Sequence, residues 1–143
     1  MKTIFILDEN SDKRNQMTHH LTAMGFDVCS FASIDFVAVN EKPFTVILDE
    51  KFNFGGKNGI QVIKKIRKKL SNAPVLFMRN RIDSKSSSEA RKAGAYVVIE
   101  KNSAQFVNLR TALDQLVSDP PKMNWFMRLF SKKQVQSLPA LSV

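Results

Sequence analysis

Five short apolar runs, rich in β-branched residues, punctuate the chain: Thr3-Ile4-Phe5-Ile6-Leu7, Val28 to Phe31, Thr45-Val46-Ile47-Leu48, Val75-Leu76-Phe77-Met78 and Val97-Val98-Ile99-Glu100. Runs this short and continuous, bounded by turn residues, read as strands buried on both faces. Between them, apolar residues recur at helical spacing. Met17, Leu21 and Met24 follow a Ser11-Asp12 cap and precede a Gly25 stop. Ser33 caps a short helix to about Val39, and Pro43 breaks the chain before the third run. From about Ile60 to Leu70, Ile63, Ile66 and Leu70 share one helical face, with Lys64, Lys65 and Lys68 opposite. Ser84 to Ala93 is a polar helix stopped by Gly94, and Ser103 caps a last helix carrying Phe106, Leu109, Leu113 and Leu116. Strands alternating with helices five times predict an α/β fold: a flavodoxin-like (βα)5, doubly wound parallel sheet of order 2-1-3-4-5.

Charge collects where these strands end. Asp8-Glu9 closes the first, Asp49 the third, Arg79 the fourth and Lys101 the fifth. The carboxyl edge of an open parallel sheet is where such folds bind ligands. Carboxylates brought together there repel unless a hard cation neutralises them, and Mg²⁺ held by one or two carboxylates plus phosphate is the usual answer. The loop Phe52 to Gly59 contains Gly55-Gly56, which reads as a turn needing positive φ. No Gly-Lys-Ser/Thr follows it, so it is not a nucleotide-binding P-loop.

Asp8-Glu9, Asp49 and Lys101, in this order and spacing, resemble the receiver domain of bacterial two-component response regulators. Gly25-Phe26-Asp27-Val28, Asn58-Gly59 and Ala93-Gly94-Ala95 add to the likeness, which covers residues 1–119. The resemblance implies a non-enzymatic, Mg²⁺-dependent phosphoacceptor at Asp49, charged by a histidine kinase or phosphotransfer protein. Asp8, Glu9, Asp49 and the main-chain carbonyl of Lys51 would hold the metal, and Lys101 would meet the phosphoryl oxygen. Output would run by contact with a downstream protein, and a homodimer is common in the family. The pattern departs in four places. Arg79 stands where a Ser or Thr usually grips the phosphoryl group, Val98 replaces an aromatic, Asn102 replaces a proline, and the loop after Asp49 is two residues longer. Arg79 then has three readings: it binds phosphoryl oxygens, it pairs with Asp49 in place of the metal, or it points to water. The alternative function is a pseudo-receiver that docks or localises a partner without being phosphorylated.

Bulk properties narrow little beyond this. The 143 residues suit one domain, with 43% hydrophobic residues and no apolar run long enough for a membrane span. A lone cysteine, Cys29, fits a reducing, cytoplasmic setting and a core position in its strand. Adjacent His19 and His20 point about 100° apart on a helix and make no metal pair. The net charge of +9 favours acidic partners, with nucleic acid at the lysine-rich helix or anionic membrane as candidates. Asp119-Pro120-Pro121 ends the domain. Residues 120–143 are expected to be a linker, a short basic amphipathic helix around Met123, Phe126, Met127 and Phe130, and a disordered tail.

Overall fold

A computed structural model describes residues 2–121. The elements run β1 (Thr3–Leu7), α1 (Ser11–Ala23), β2 (Asp27–Phe31), a 3-10 helix (Ile34–Ala38), β3 (Thr45–Asp49), α2 (Ile60–Lys69), β4 (Val75–Arg79), α3 (Ser84–Ala93), β5 (Ala95–Glu100) and α4 (Gln105–Ser118). All strand pairs are parallel, in the order β2-β1-β3-β4-β5. The expected flavodoxin-like topology is therefore observed. The expected C-terminal helix and tail lie outside the described residues.

The sheet pleat divides the core in two. Phe5, Leu7, Val46, Leu48, Val75, Phe77 and Val98 face α2, α3 and the 3-10 helix. Ile4, Ile6, Ile47, Leu76, Met78 and Ile99 face α1 and α4, whose Leu21, Leu109, Leu113 and Leu116 complete the second layer. β3 is buried at every position, which is why it reads as an unbroken apolar run.

Local chemistry corrects several expected boundaries. Asn10, not Ser11 or Asp12, caps α1, its Oδ1 accepting from Lys13 N at 2.9 Å. Ser103 does not cap α4; Asn102 Oδ1 takes the Ala104 N–H at 2.9 Å, and the helix begins at Gln105. The second helix is only a 3-10 turn. Its Phe36 is buried among Phe31, Phe52 and Phe54, with ring centroids 5.7–6.2 Å away, so an aromatic cluster fills the space a longer helix would cover.

Charge is divided as unevenly as the core is evenly. Ten of the Lys and Arg residues but only two of the Asp and Glu residues fall in 60–93, a net charge of +8, whereas 1–59 sum to −2, 94–121 to −1 and 122–143 to +4. Lys64, Lys68, Lys69, Lys85, Arg91 and Lys92 are exposed there. Arg67 is the exception: it is buried, donates to the carbonyls of Ser71 (2.7 Å) and Ala73, and closes the end of α2. Burial lowers its guanidinium to about 10, so it stays charged at neutral pH.

Candidate functional site

The carboxyl ends of β1, β3, β4 and β5 open into a cavity of about 300 Å³. Asp8, Lys13, Asp49, Asn80 and Lys101 line it, beside the apolar Ile6, Ile47 and Met78. Asp49 is 6% exposed, the most buried carboxylate among the described residues. Its Oδ1 is ion-paired with Lys101 Nζ, and its Oδ2 accepts from Lys51 N at 3.0 Å. A buried carboxylate needs such partners, since an unpaired charge out of water is strongly unfavourable.

Asp8 stands beside this pair. Its Oδ1 accepts from Asn10 N at 2.9 Å, and its carbonyl accepts from Arg14 Nη1 at 2.8 Å. Burial pushes its carboxyl up from the ordinary value, and the negative Asp49 adds to the rise; the Asn10 hydrogen bond and the charges of Lys101 and Lys13 oppose it. The remaining predicted site residues divide. Glu9 is exposed, and its Oε1 accepts from Asn53 N at 3.3 Å, tying the loop after β3 to the end of β1. That loop is a small hairpin: Phe54 and Lys57 exchange backbone hydrogen bonds of 2.8 and 3.1 Å around Gly55-Gly56 at φ 60° and 80°. The positive φ expected of these glycines is present.

Arg79 neither pairs with Asp49 nor points freely to water. Its Nε pairs with Glu50 Oε2 at 3.1 Å, and its guanidinium carbon lies 5.9 Å from the centre of the Phe77 ring. Glu50 Oε1 also accepts from Asn80 N at 2.8 Å, so one carboxylate clamps the last residue of β4 and the first of the β4–α3 loop. Farther along that loop, Glu100 Oε1 accepts from Ile82 N at 3.0 Å. Glu50, Glu100 and Asn80 were not singled out in the sequence. The pleat could have found them, because side chains alternate sides along a strand. Asp8, Asp49, Asn80 and Lys101 continue the side of Ile6, Ile47, Met78 and Ile99. Glu50, Arg79 and Glu100 continue the side of Leu48, Phe77 and Val98.

The other candidates are structural. His20 stacks on Phe106 at 3.8 Å, and Cys29 is half-buried on the edge strand, its thiol pushed up by burial and by nearby Glu41. Among the described residues no helix is long and apolar enough to cross a membrane.

A family model for the response regulator receiver domain matches residues 4–114. No curated protein sequence matches the chain. Among solved structures, the response regulator DrrB of Thermotoga maritima, described as an OmpR/PhoB homolog, is 20% identical, with a TM-score of 0.71 over 85% of this chain and 55% of that one. A two-component response regulator from Clostridium difficile is 17% identical, with a TM-score of 0.74 over 85% of this chain and 100% of the other. The chemotaxis response regulator CheY4 of Vibrio cholerae is 18% identical, with a TM-score of 0.69 over 81% and 98%.

Proposed function

The chain belongs to the response regulator receiver domain family, and from that premise we propose that Asp49 is its phosphoacceptor. The observation that supports this most directly is the placing of a buried carboxylate, paired to Lys101, against a cavity that Asp8 also lines. An Asp49 oxygen attacks the phosphorus of a phosphohistidine or acyl phosphate and forms an O–P bond. The bond to the donor breaks, and its electron pair leaves with the imidazole or the carboxylate. Catalysis of this kind is positioning and charge neutralisation more than covalent chemistry. Lys101, paired with Asp49, would meet the incoming negative charge.

The donor set suits Mg²⁺. Asp8 and Asp49 supply hard oxygens; burial chiefly raises the Asp8 carboxyl and the Asp49 charge adds to it, and a divalent cation would offset both. Asp8, Glu9, Asp49 and the carbonyl of Lys51 would hold it. When bound, the ion would neutralise charge on the phosphoryl oxygens. We further propose that a histidine kinase or phosphotransfer protein is the donor and that output passes by protein contact. A second reading, a docking module that is never phosphorylated, is favoured by one observation: the glutamate clamps hold the β4–α3 loop in one place.

Intact mass after incubation with Mg²⁺ and acetyl phosphate separates the two. The wild-type chain is expected to gain one phosphoryl mass and Asp49→Asn none. A wild-type chain that gains nothing leaves the docking reading.

A further inference from the structure

We propose that Asn80, rather than Arg79, is the residue at the end of β4 that binds the phosphoryl group on Asp49; the inference rests on the phosphoacceptor reading above. Side-chain alternation decides between the two neighbours. Arg79 continues the side of Val75 and Phe77 and is engaged by Glu50 at 3.1 Å. Asn80 continues the side of Leu76 and Met78 and lines the same cavity as Asp49 and Lys101. β3 carries the acceptor on that same side, Asp49 being paired in register with Met78. A guanidinium that already holds a carboxylate would have to give up that partner and cross the sheet edge to reach the acceptor. Asn80 already lines the cavity that Asp49 and Lys101 share.

Its chemistry fits the task. A carboxamide offers two N–H donors, and a phosphoryl group offers only acceptors. When Asp49 bonds to phosphorus and the donor departs with its electron pair, the added negative charge lies between the Lys101 ammonium and the Asn80 amide. The backbone that carries Asn80 is fixed before the reaction. Glu50 takes its N–H at 2.8 Å, the preceding Arg79 carbonyl accepts from Lys101 N at 2.7 Å, and Glu100 takes the Ile82 N–H at 3.0 Å. A donor held this way needs little reorganisation as charge develops. Glu50 is then the positioning residue for Asn80, with Arg79 a second partner of its carboxylate.

Time courses of phosphoryl gain from acetyl phosphate, read by intact mass, test the assignment. Asn80→Ala is expected to slow the gain by about tenfold or more, the loss of one hydrogen bond to a charged group. Asn80→Ser, which restores a donor, should recover part of that rate. Arg79→Ala should stay within about threefold of wild type, because Glu50 keeps its bond to the Asn80 amide. In a ¹⁵N spectrum, beryllofluoride should move the Asn80 side-chain NH₂ pair, a signal that a purely structural role would leave in place. A wild-type chain that is phosphorylated while Asn80→Ala matches its rate, or while Arg79→Ala falls as far as Asn80→Ala, overturns the Asn80 assignment alone. A wild-type chain that gains no mass overturns the acceptor reading and this inference together.

Discussion

Burial raises the Asp8 carboxyl above its ordinary value of 3.8, and the charge of Asp49 adds to the rise. A carboxyl raised in the fold holds its proton more tightly there than in the unfolded chain. Its favourable contribution is therefore complete below 3.8 and is lost as the pH climbs through the raised folded value. Asp8→Asn removes the ionising group. The variant should melt at a higher temperature than wild type at pH 7, with the difference shrinking when melts are repeated at pH 3. Added Mg²⁺ should raise the wild-type midpoint more than the variant's, because only the wild type keeps the carboxylate the ion would engage. Residues at this scale were partly legible in the sequence. Asp8, Asp49 and Lys101 announce themselves as charges at the ends of apolar runs, and the fold brings them to one cavity. Which of two adjacent polar residues faces that cavity depends on pleat parity, and Arg79 drew attention from Asn80 because it carries the charge.

Among the elements, the hairpin after β3 turns on its two glycines. Gly56 has φ 80° and open space where a Cβ would stand, so a side chain there meets no neighbour and only backbone strain opposes it. Gly56→Ala should cost about 1–2 kcal/mol in urea unfolding, the penalty of a left-handed conformation. Gly56→Asn should cost less, since asparagine tolerates that region. β1, β3 and β4 were readable because burial on both faces leaves few polar interruptions, whereas the half-exposed edge strand β2 carries Asp27 and Ser30. Helix ends were less so. Asn10 caps α1 in place of the neighbouring Ser11, whereas α4 starts at Gln105 with no side-chain cap and Asn102 only braces the turn before it. The 3-10 turn at Ile34–Ala38 was hidden for another reason: a cluster of four phenylalanines from separate segments, including Phe52 and Phe54, replaces helical burial, and no local period records it.

For the molecule as a whole, the parallel sheet followed from alternation of elements and its strand order from the flavodoxin-like pattern, whereas the separation of charge followed from where the crossovers fall. The basic helices α2 and α3 pack on one side of the sheet, and α1 and α4, nearly balanced in charge, pack on the other. Placement should matter beyond net charge. Lys64→Glu with Lys68→Glu removes the same charge as Lys2→Glu with Arg110→Glu, and all four positions are exposed. The first pair should elute from a cation exchanger at distinctly lower salt than the second, with both folds within about 0.5 kcal/mol of wild type. A body whose positive charge lies off centre experiences a torque in an external field, felt over about 8 Å at physiological ionic strength. Near a negatively charged object this domain turns before it touches, leading with α2 and α3. The edge that carries Asp8, Asp49 and Lys101 then stands sideways to the approach, open to a second visitor while the first is still in place.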